Sequence, residues 1–475
     1  MSKDKFISRW GFILAGLGMA IGTGNIWRFP RVVSENGGGA FVIPWFLALF
    51  LWSLPLIMIE FALGRGEQKG VIATFQSLFG KDRGWYGGFI AFVTAAIMFY
   101  YSVVTGWCFY YALSSLFVPS KMFTSPSFWD NFEHSPLPLI FHALSLLIVA
   151  YIISKGVSKG IEAASKVMIP SLFFLLIVGT VRAVTLPGGL KGLDFLFYPD
   201  FSKLLNVKVW LEALSQSAWS TGAGWGLILT YAIYARKKED GLLNSSVIVF
   251  GDYSASLLAA MTVVPTIFAF APTAAEAMST LAAGKTELTF KAIPQLFSQM
   301  PVGSIFMFVF FLALFLAALS SFISLFELET RVFMDFGMNR SRAVAIVAGI
   351  TLILGIPSAL NKNFLDNQDW VWGLALLVNG FIFSFAVIKM GFSRFKEEYL
   401  SKATRFNLSW LKPIVLFLIP AEFFLLLFWW FSSAVKTKNW YSPFSTSGLG
   451  TVLFQWILAA AALFVVFKLA YRGKR

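Results

Sequence analysis

The sequence is poor in the residues that build soluble proteins and metal centres. A single cysteine, Cys108, in 475 residues excludes an internal disulfide and any cysteine-rich metal site. Two histidines, His134 and His142, are too few to expect a His-based metal centre. Charged residues make up 13% of the chain, against about 25% in soluble domains. No HExxH run is present, and Cys108 has no evident base beside it. These shortages exclude a disulfide scaffold, a disordered chain and an ordinary soluble enzyme. What is abundant is apolar: 57% of residues are hydrophobic, with 53 Phe and 17 Trp. That composition reads as an all-α polytopic membrane protein.

Apolar stretches of about 20 residues, enough to cross a bilayer, recur along the whole chain. They lie near 9–34, 39–63, 86–118, 136–154, 161–184, 209–235, 241–271, 301–330, 341–358, 367–391, 411–435 and 448–470. The count is twelve, all helical, because a lone span must satisfy its own backbone. The first run is long and lacks a small-residue cleavage site, so it reads as a span and not a leader. Basic clusters precede the first span (Lys3, Lys5, Arg9), follow the even-numbered spans (Arg65, Arg236, Arg340 and Arg394 among them) and close the chain. The positive-inside rule places that side, with both termini, in the cytoplasm. The net charge of +14 then reflects topology; no nucleic-acid partner is expected. The sequons at Asn244, Asn339 and Asn407 face the same side, which favours a prokaryotic inner membrane. Of the outward loops, 185–208 and 272–300 are long. The second is expected to hold short helices over Ala274–Ala283 and Thr289–Ser298.

The most informative run is Gly16-Leu17-Gly18-Met19-Ala20-Ile21-Gly22-Thr23-Gly24-Asn25, in the middle of the first span. Glycine costs about 1 kcal/mol per residue in a helix interior relative to alanine. Four in nine residues predict a broken helix. Unwound backbone at membrane depth persists only where protein buries it or a cavity lies beside it. The sixth span repeats the device in Ser220-Thr221-Gly222-Ala223-Gly224-Trp225-Gly226. Either run alone could serve close helix packing. The matched pair, five helices apart, predicts an internal repeat with a binding site at its interface. Free amides at one broken end suit a carboxylate. Free carbonyls at the other suit a bare cation such as Na⁺, with Asn25, Ser220, Ser320 and Ser321 at hand. Ionisable residues inside spans are functional by default: Glu60, Asp252, Glu327 and Glu422. Glu60 and Glu327 are candidates to carry a proton or to serve as buried hydrogen-bonding groups. Glu422 is expected to lie shallow and His142 at the interface.

Gly22-Thr23-Gly24-Asn25-Ile26-Trp27-Arg28-Phe29-Pro30, followed by Glu35-Asn36-Gly37-Gly38-Gly39-Ala40-Phe41, resembles the first-helix signature of the neurotransmitter:sodium symporter family, of the bacterial leucine-transporter type. Glu60-Phe61-Ala62-Leu63-Gly64-Arg65, the run Gly156–Glu162 and Pro199-Asp200-Phe201 match in the same order. The resemblance implies two inverted five-helix repeats, 1–190 and 191–391, with accessory helices in 392–475. It implies Na⁺-coupled uptake of a small amino acid by alternating access.

Carried over residue by residue, the resemblance implies two Na⁺ sites. One is formed by the Ala20 carbonyl, Asn25, Ser220, Asp252 and the substrate carboxylate. The other is formed by carbonyls of Gly18, Ile21 and Ala317 with the hydroxyls of Ser320 and Ser321. The substrate carboxylate would meet Gly24 and Tyr101, and its amine the carbonyls of Ala20, Trp219 and Ser220. Its side chain would lie among Met19, Ile97, Trp219, Gly222, Trp225, Ser321 and Leu325. Trp219 resembles the aromatic lid. Arg28 and Asp369 resemble an outer gate; Lys3, Phe6, Tyr234 and Asp335 resemble an inner one.

Departures from the family pattern sharpen the expectation. The leucine transporter has Asn where Met19 stands and Phe where Trp219 stands, so the pocket is more apolar and favours a small neutral amino acid. Gly22 takes the place of the Asp of biogenic-amine transporters, which argues against amines lacking a carboxylate. Chloride-dependent relatives lack a fixed acid near the first Na⁺ site, whereas Asp252 supplies one. Trp45 replaces a Tyr that often contacts chloride. Chloride-independent transport is expected. A taurine- or betaine-like zwitterion is the alternative substrate, and a non-transporting amino-acid receptor the alternative activity.

Overall fold

The computed structural model describes residues 4–471 apart from 126, 237 and 238. Among these residues the chain forms helices and no strands. Ten helices are long and apolar enough to cross a membrane. They are α2 (Gly39–Glu67), α3 (Trp85–Phe117), α4 (Leu137–Ser154), α5 (Val157–Val184), α7 (Gly241–Phe270), α8 (Gly303–Asp335), α9 (Arg340–Leu360), α10 (Lys362–Met390), α11 (Leu411–Ala434) and α12 (Leu449–Tyr471). Two more spans are interrupted. Helix α1 runs Arg9–Ala20, breaks at Ile21 and Gly22, and resumes to Glu35. Helix α6 runs Val207–Ser220, breaks, and resumes at Leu227–Ala232. The twelve spans fall where the apolar runs predict them.

Local chemistry sets the ends. The Ser8 hydroxyl accepts from the Gly11 amide at the start of α1. Asp240, Asn339 and Asn361 do the same for α7, α9 and α10. Each satisfies an amide that lacks an intrahelical partner. The outward loops are more ordered than their polarity suggests. The second carries the expected helix at Ala274–Leu281 and another over 288–298. The first also folds, with a helix over Gly189–Phe197.

Helices α3 and α8 pack along one another, and α1 lies against α5, α7 and α8. The two breaks therefore sit in the middle of the bundle. Helices α11 and α12 are peripheral. Phe417, Phe424, Phe428, Ile457 and Phe464 leave them exposed and apolar, as a lipid-facing surface requires.

The α6 break depends on three glycines in the left-handed region: Gly222 (φ +68°), Gly224 (φ +87°) and Gly226 (φ +81°). A Cβ on Gly224 would also fall 2.7 Å from the Gly380 Cα. The freed amides need acceptors, and Glu60 from α2 supplies them. Its carboxylate accepts from the Gly224 amide at 2.6 Å and from Leu229 at 3.4 Å. Glu60 is thus a buried hydrogen-bonding group of the broken helix, one of its two expected roles. Replacing it with alanine should leave both amides without an acceptor, at about 1–3 kcal/mol each. Thermal unfolding in detergent should show E60A melting below the parent, with E60Q in between.

Candidate functional site

Between the two breaks lies a cavity of about 110 Å³. All eleven residues expected to contact substrate line it: Met19, Ala20, Gly24, Ile97, Tyr101, Trp219, Ser220, Gly222, Trp225, Ser321 and Leu325. The bare backbone at Gly22 lets Tyr101 and Ser321 close on the break in α1. A Cβ at that position would sit 2.9 Å from the Tyr101 hydroxyl and 3.0 Å from the Ser321 hydroxyl. The Tyr101 oxygen accepts from the Thr23 amide at 3.1 Å, so α3 holds the unwound segment. A Cβ at Gly24 would meet nothing within 4 Å, so this stretch of backbone is open to the cavity.

Two polar clusters flank the unwound segment. In the first, the Asn25 amide donates to Asp252 Oδ1 (2.6 Å), Ser220 Oγ (3.0 Å) and Ser256 Oγ (2.8 Å). Ser220 donates to Asp252 Oδ2 at 2.8 Å, and Asn25 Oδ1 accepts from the Gly22 amide at 2.8 Å. Asn25 and Asp252 are buried, 1% and 0% exposed, so their polar atoms turn to each other. In the second cluster, the Ser321 hydroxyl faces the carbonyls of Gly18 (3.2 Å) and Ile21 (3.1 Å). Ser320 donates to the Ala317 carbonyl at 3.0 Å. The fold thus brings Asn25, Ser220 and Asp252 together in one cluster, and Ser321 with the Gly18 and Ile21 carbonyls in the other.

Above the cavity is a second chamber of about 430 Å³. Arg28, Trp219 and Asp369 line both spaces and so form the partition between them. The Arg28 guanidinium lies 4.6 Å from the Trp219 ring centre, within cation–π range. Asp369 accepts from the Tyr100 hydroxyl at 3.0 Å.

Below the cavity the chain is closed by several layers. Tyr231 and Ser324 share a 2.8 Å hydrogen bond, and the Phe6 ring meets Tyr231 edge-on. The Phe6 amide donates to the Tyr234 carbonyl at 3.2 Å. The Tyr234 hydroxyl donates to Glu327 at 2.8 Å, and Arg340 grips both Glu327 oxygens at 2.7 and 2.9 Å. Asp335 pairs with Arg331 at 2.7 Å and accepts from the Gly70 amide. Lys3, the expected fourth member of this gate, lies outside the described residues.

With this geometry in hand, comparisons with known proteins decide the family. The sodium:neurotransmitter symporter family model matches residues 3–136 and 136–472. The chain belongs to the sodium:neurotransmitter symporter family. It is 35% identical over 367 residues to a sodium-dependent transporter of Methanocaldococcus jannaschii, covering 74% of each chain. It is 30% identical over 429 residues to the sodium-dependent transporter YhdH of Bacillus subtilis, covering 85% of this chain and 91% of that one. A human sodium- and chloride-dependent taurine transporter is 26% identical over 408 residues, covering 74% and 65%. Among solved structures, MhsT in complex with L-phenylalanine superposes with a TM-score of 0.78 at 29% identity, covering 90% of this chain and 99% of that one. The fold is therefore of the leucine-transporter type. The chain is a multi-pass membrane transporter and not an enzyme.

Within that family frame His142 stands differently from its expected place. His142 is buried, not interfacial: Nδ1 lies 3.0 Å from Ser102 Oγ and Nε2 3.3 Å from the Leu352 carbonyl. Gly355 makes the room, since a Cβ there would fall 2.6 Å from the imidazole. Glu422 on α11 is buried, 8% exposed. Glu327 is a buried hydrogen-bonding group, one of its two expected roles, with Arg340 and Tyr234 as its partners. Ser256 was missed. It sits one helical turn beyond Asp252, so the period of 3.6 was the available signal. Arg340 was missed because it is remote from the breaks in sequence and read only as a cytoplasmic charge.

Glu327 is 0% exposed. Removing its partner should leave a buried charge uncompensated, at about 3–5 kcal/mol. Arg340→Ala should therefore loosen the inner closure, and hydrogen exchange at the Phe6 amide should speed up. Unchanged exchange would show that the ion pair does not hold the segment.

Proposed function

We propose that this protein is a Na⁺-coupled symporter of a small neutral, apolar amino acid working by alternating access. The carrying observation is the pair of buried oxygen-rich clusters on either side of the unwound part of α1, both opening on one cavity. In this reading the first Na⁺ takes the Ala20 carbonyl, Asn25, Ser220 and Asp252, and the substrate carboxylate completes its shell. The second takes the carbonyls of Gly18, Ile21 and Ala317 with Ser320 and Ser321, and ties α1 to α8. The carboxylate meets the open backbone at Gly24 and the Tyr101 hydroxyl. Met19, Ile97, Trp225 and Leu325 form apolar walls around the side chain, under the Trp219 lid. Because substrate and Na⁺ share ligands, each raises the other's affinity by the same factor. Gates at Arg28/Asp369 and at Phe6/Tyr234/Asp335 close the two ends in turn, which favours transport over a receptor role. The inverted repeats span 1–190 and 191–391, with 392–475 accessory. The protein lies in a prokaryotic inner membrane with both termini in the cytoplasm.

The amino-acid reading is supported by the phenylalanine complex of MhsT. The likeness to taurine transporters keeps a taurine-like zwitterion as the second reading. Calorimetric binding of the twenty amino acids and taurine, in Na⁺ and in K⁺, separates them. Neutral apolar amino acids should bind in Na⁺ only. A taurine-only response selects the second reading, and binding equal in both salts overturns the coupling.

Asp252 gives the site its own negative charge. At ~5 Å and an effective dielectric of ~20 such a charge contributes roughly 3 kcal/mol, about 100-fold in ion affinity. Uptake by the parent should be independent of chloride. Asp252→Asn should weaken Na⁺ affinity by up to that factor, with partial recovery when chloride is added. Chloride-dependent uptake by the parent, measured at fixed Na⁺ in sealed vesicles, would overturn this assignment.

A further inference from the structure

Helix α10 presents Leu365, Asp369 and Gly373 at intervals of four, one stripe facing α1 and α6. Leu365 and Asp369 line the cavity. Gly373 stands one turn deeper, in an unbroken helix. Its φ is not in the positive region, so the backbone has no need of glycine there. Glycine at such a position costs about 1 kcal/mol relative to alanine. The reason for it is space. A Cβ on Gly373 would fall 1.6 Å from Cη2 and 2.0 Å from Cζ2 of Trp219. The far edge of the indole occupies the volume that any other residue would fill. The Arg28 guanidinium covers the Trp219 ring at 4.6 Å.

We propose that Gly373 is the seat of the lid: a notch on α10 that receives the Trp219 indole and fixes it between the cavity and the outer chamber. The two residues are matched in size. A phenylalanine on α6 would lack the second ring that enters the notch, and any side chain at 373 would expel that ring. Gly373 touches neither ion nor substrate in this role. It is a positioning residue that acts through Trp219, and by holding the roof of the cavity it sets the size of substrate that fits. The inference rests on the reading of Trp219 as lid.

A test that needs no substrate keeps the two readings separate. A reporter cysteine is placed at Ile97, which lines the cavity; the chain's own Cys108 is buried. Labelling of the purified protein by a charged methanethiosulfonate reagent is followed as a mass shift. Gly373→Ala should raise the labelling rate about fivefold or more when Trp219 is present, and change it less than about twofold in a Trp219→Phe background, the signature of two residues in contact. No change, a fall, or an equal rise in both backgrounds overturns the seat. Should Gly373→Ala fail to give monodisperse protein, the double variant decides. Recovery with Trp219→Phe supports the notch, and no recovery refutes it. Amino-acid binding can fail in its own assay without altering this outcome.

Discussion

Everything near the centre of this protein follows from one constraint: backbone that leaves the helix inside a membrane must find partners within the protein. Two spans break at the same depth, and each break is serviced from elsewhere in the fold. Glu60 on α2 accepts the amides freed at Gly224 and Leu229. Tyr101 on α3 accepts the Thr23 amide, and Asn25 turns its side-chain oxygen back to Gly22. On the other side, Ser321 on α8 faces the carbonyls of Gly18 and Ile21. Of these groups, Tyr101, Asn25 and Ser321 are also the ones proposed to hold ions and a carboxylate. Stability and binding are therefore written in the same atoms, which is a physical basis for coupling ion to substrate.

The closures above and below the cavity use different interactions. The outer partition is a cation on an aromatic face, with Arg28 over Trp219 and Asp369 held by Tyr100. Such contacts are worth about 0.5–2 kcal/mol, and they can be remade cheaply. The inner closure is a stack: Phe6 on Tyr231, then Tyr234, Glu327 and Arg340, then Asp335 with Arg331. Its ion pairs are largely buried, and opening it requires charges to be rehydrated together. The asymmetry fits a structure closed on the Tyr234 side of the cavity while a chamber of about 430 Å³ lies on the Arg28 side.

Much of this was legible in the sequence. Apolar runs of bilayer length gave the twelve spans, because length and hydropathy are the conditions a bilayer imposes. Clustered glycines gave both breaks, because no continuous helix tolerates them at low cost. The family motifs then named the cavity residues, and all eleven line the cavity. The readings that failed concern long-range partners. His142 looked interfacial from its place near a span end, but Ser102, Leu352 and Gly355 enclose it from two other helices. Glu327 stands as one of the buried hydrogen-bonding groups the sequence allowed, but its partner Arg340 was not foreseen.

The sequence by itself determined where helices run, where they cannot continue and which oxygens are available there, since these depend on local propensity and on the solvent. The tertiary structure alone decided which side chains answer those groups. Ser256 beside Asn25, Arg340 on Glu327 and Gly373 beneath Trp219 are separated by between 13 and 231 residues. Packing chooses among such pairs by shape and by the cost of leaving a buried polar group unmet. Apart from the helical period that sets Ser256 one turn from Asp252, no pattern along the chain carries that information.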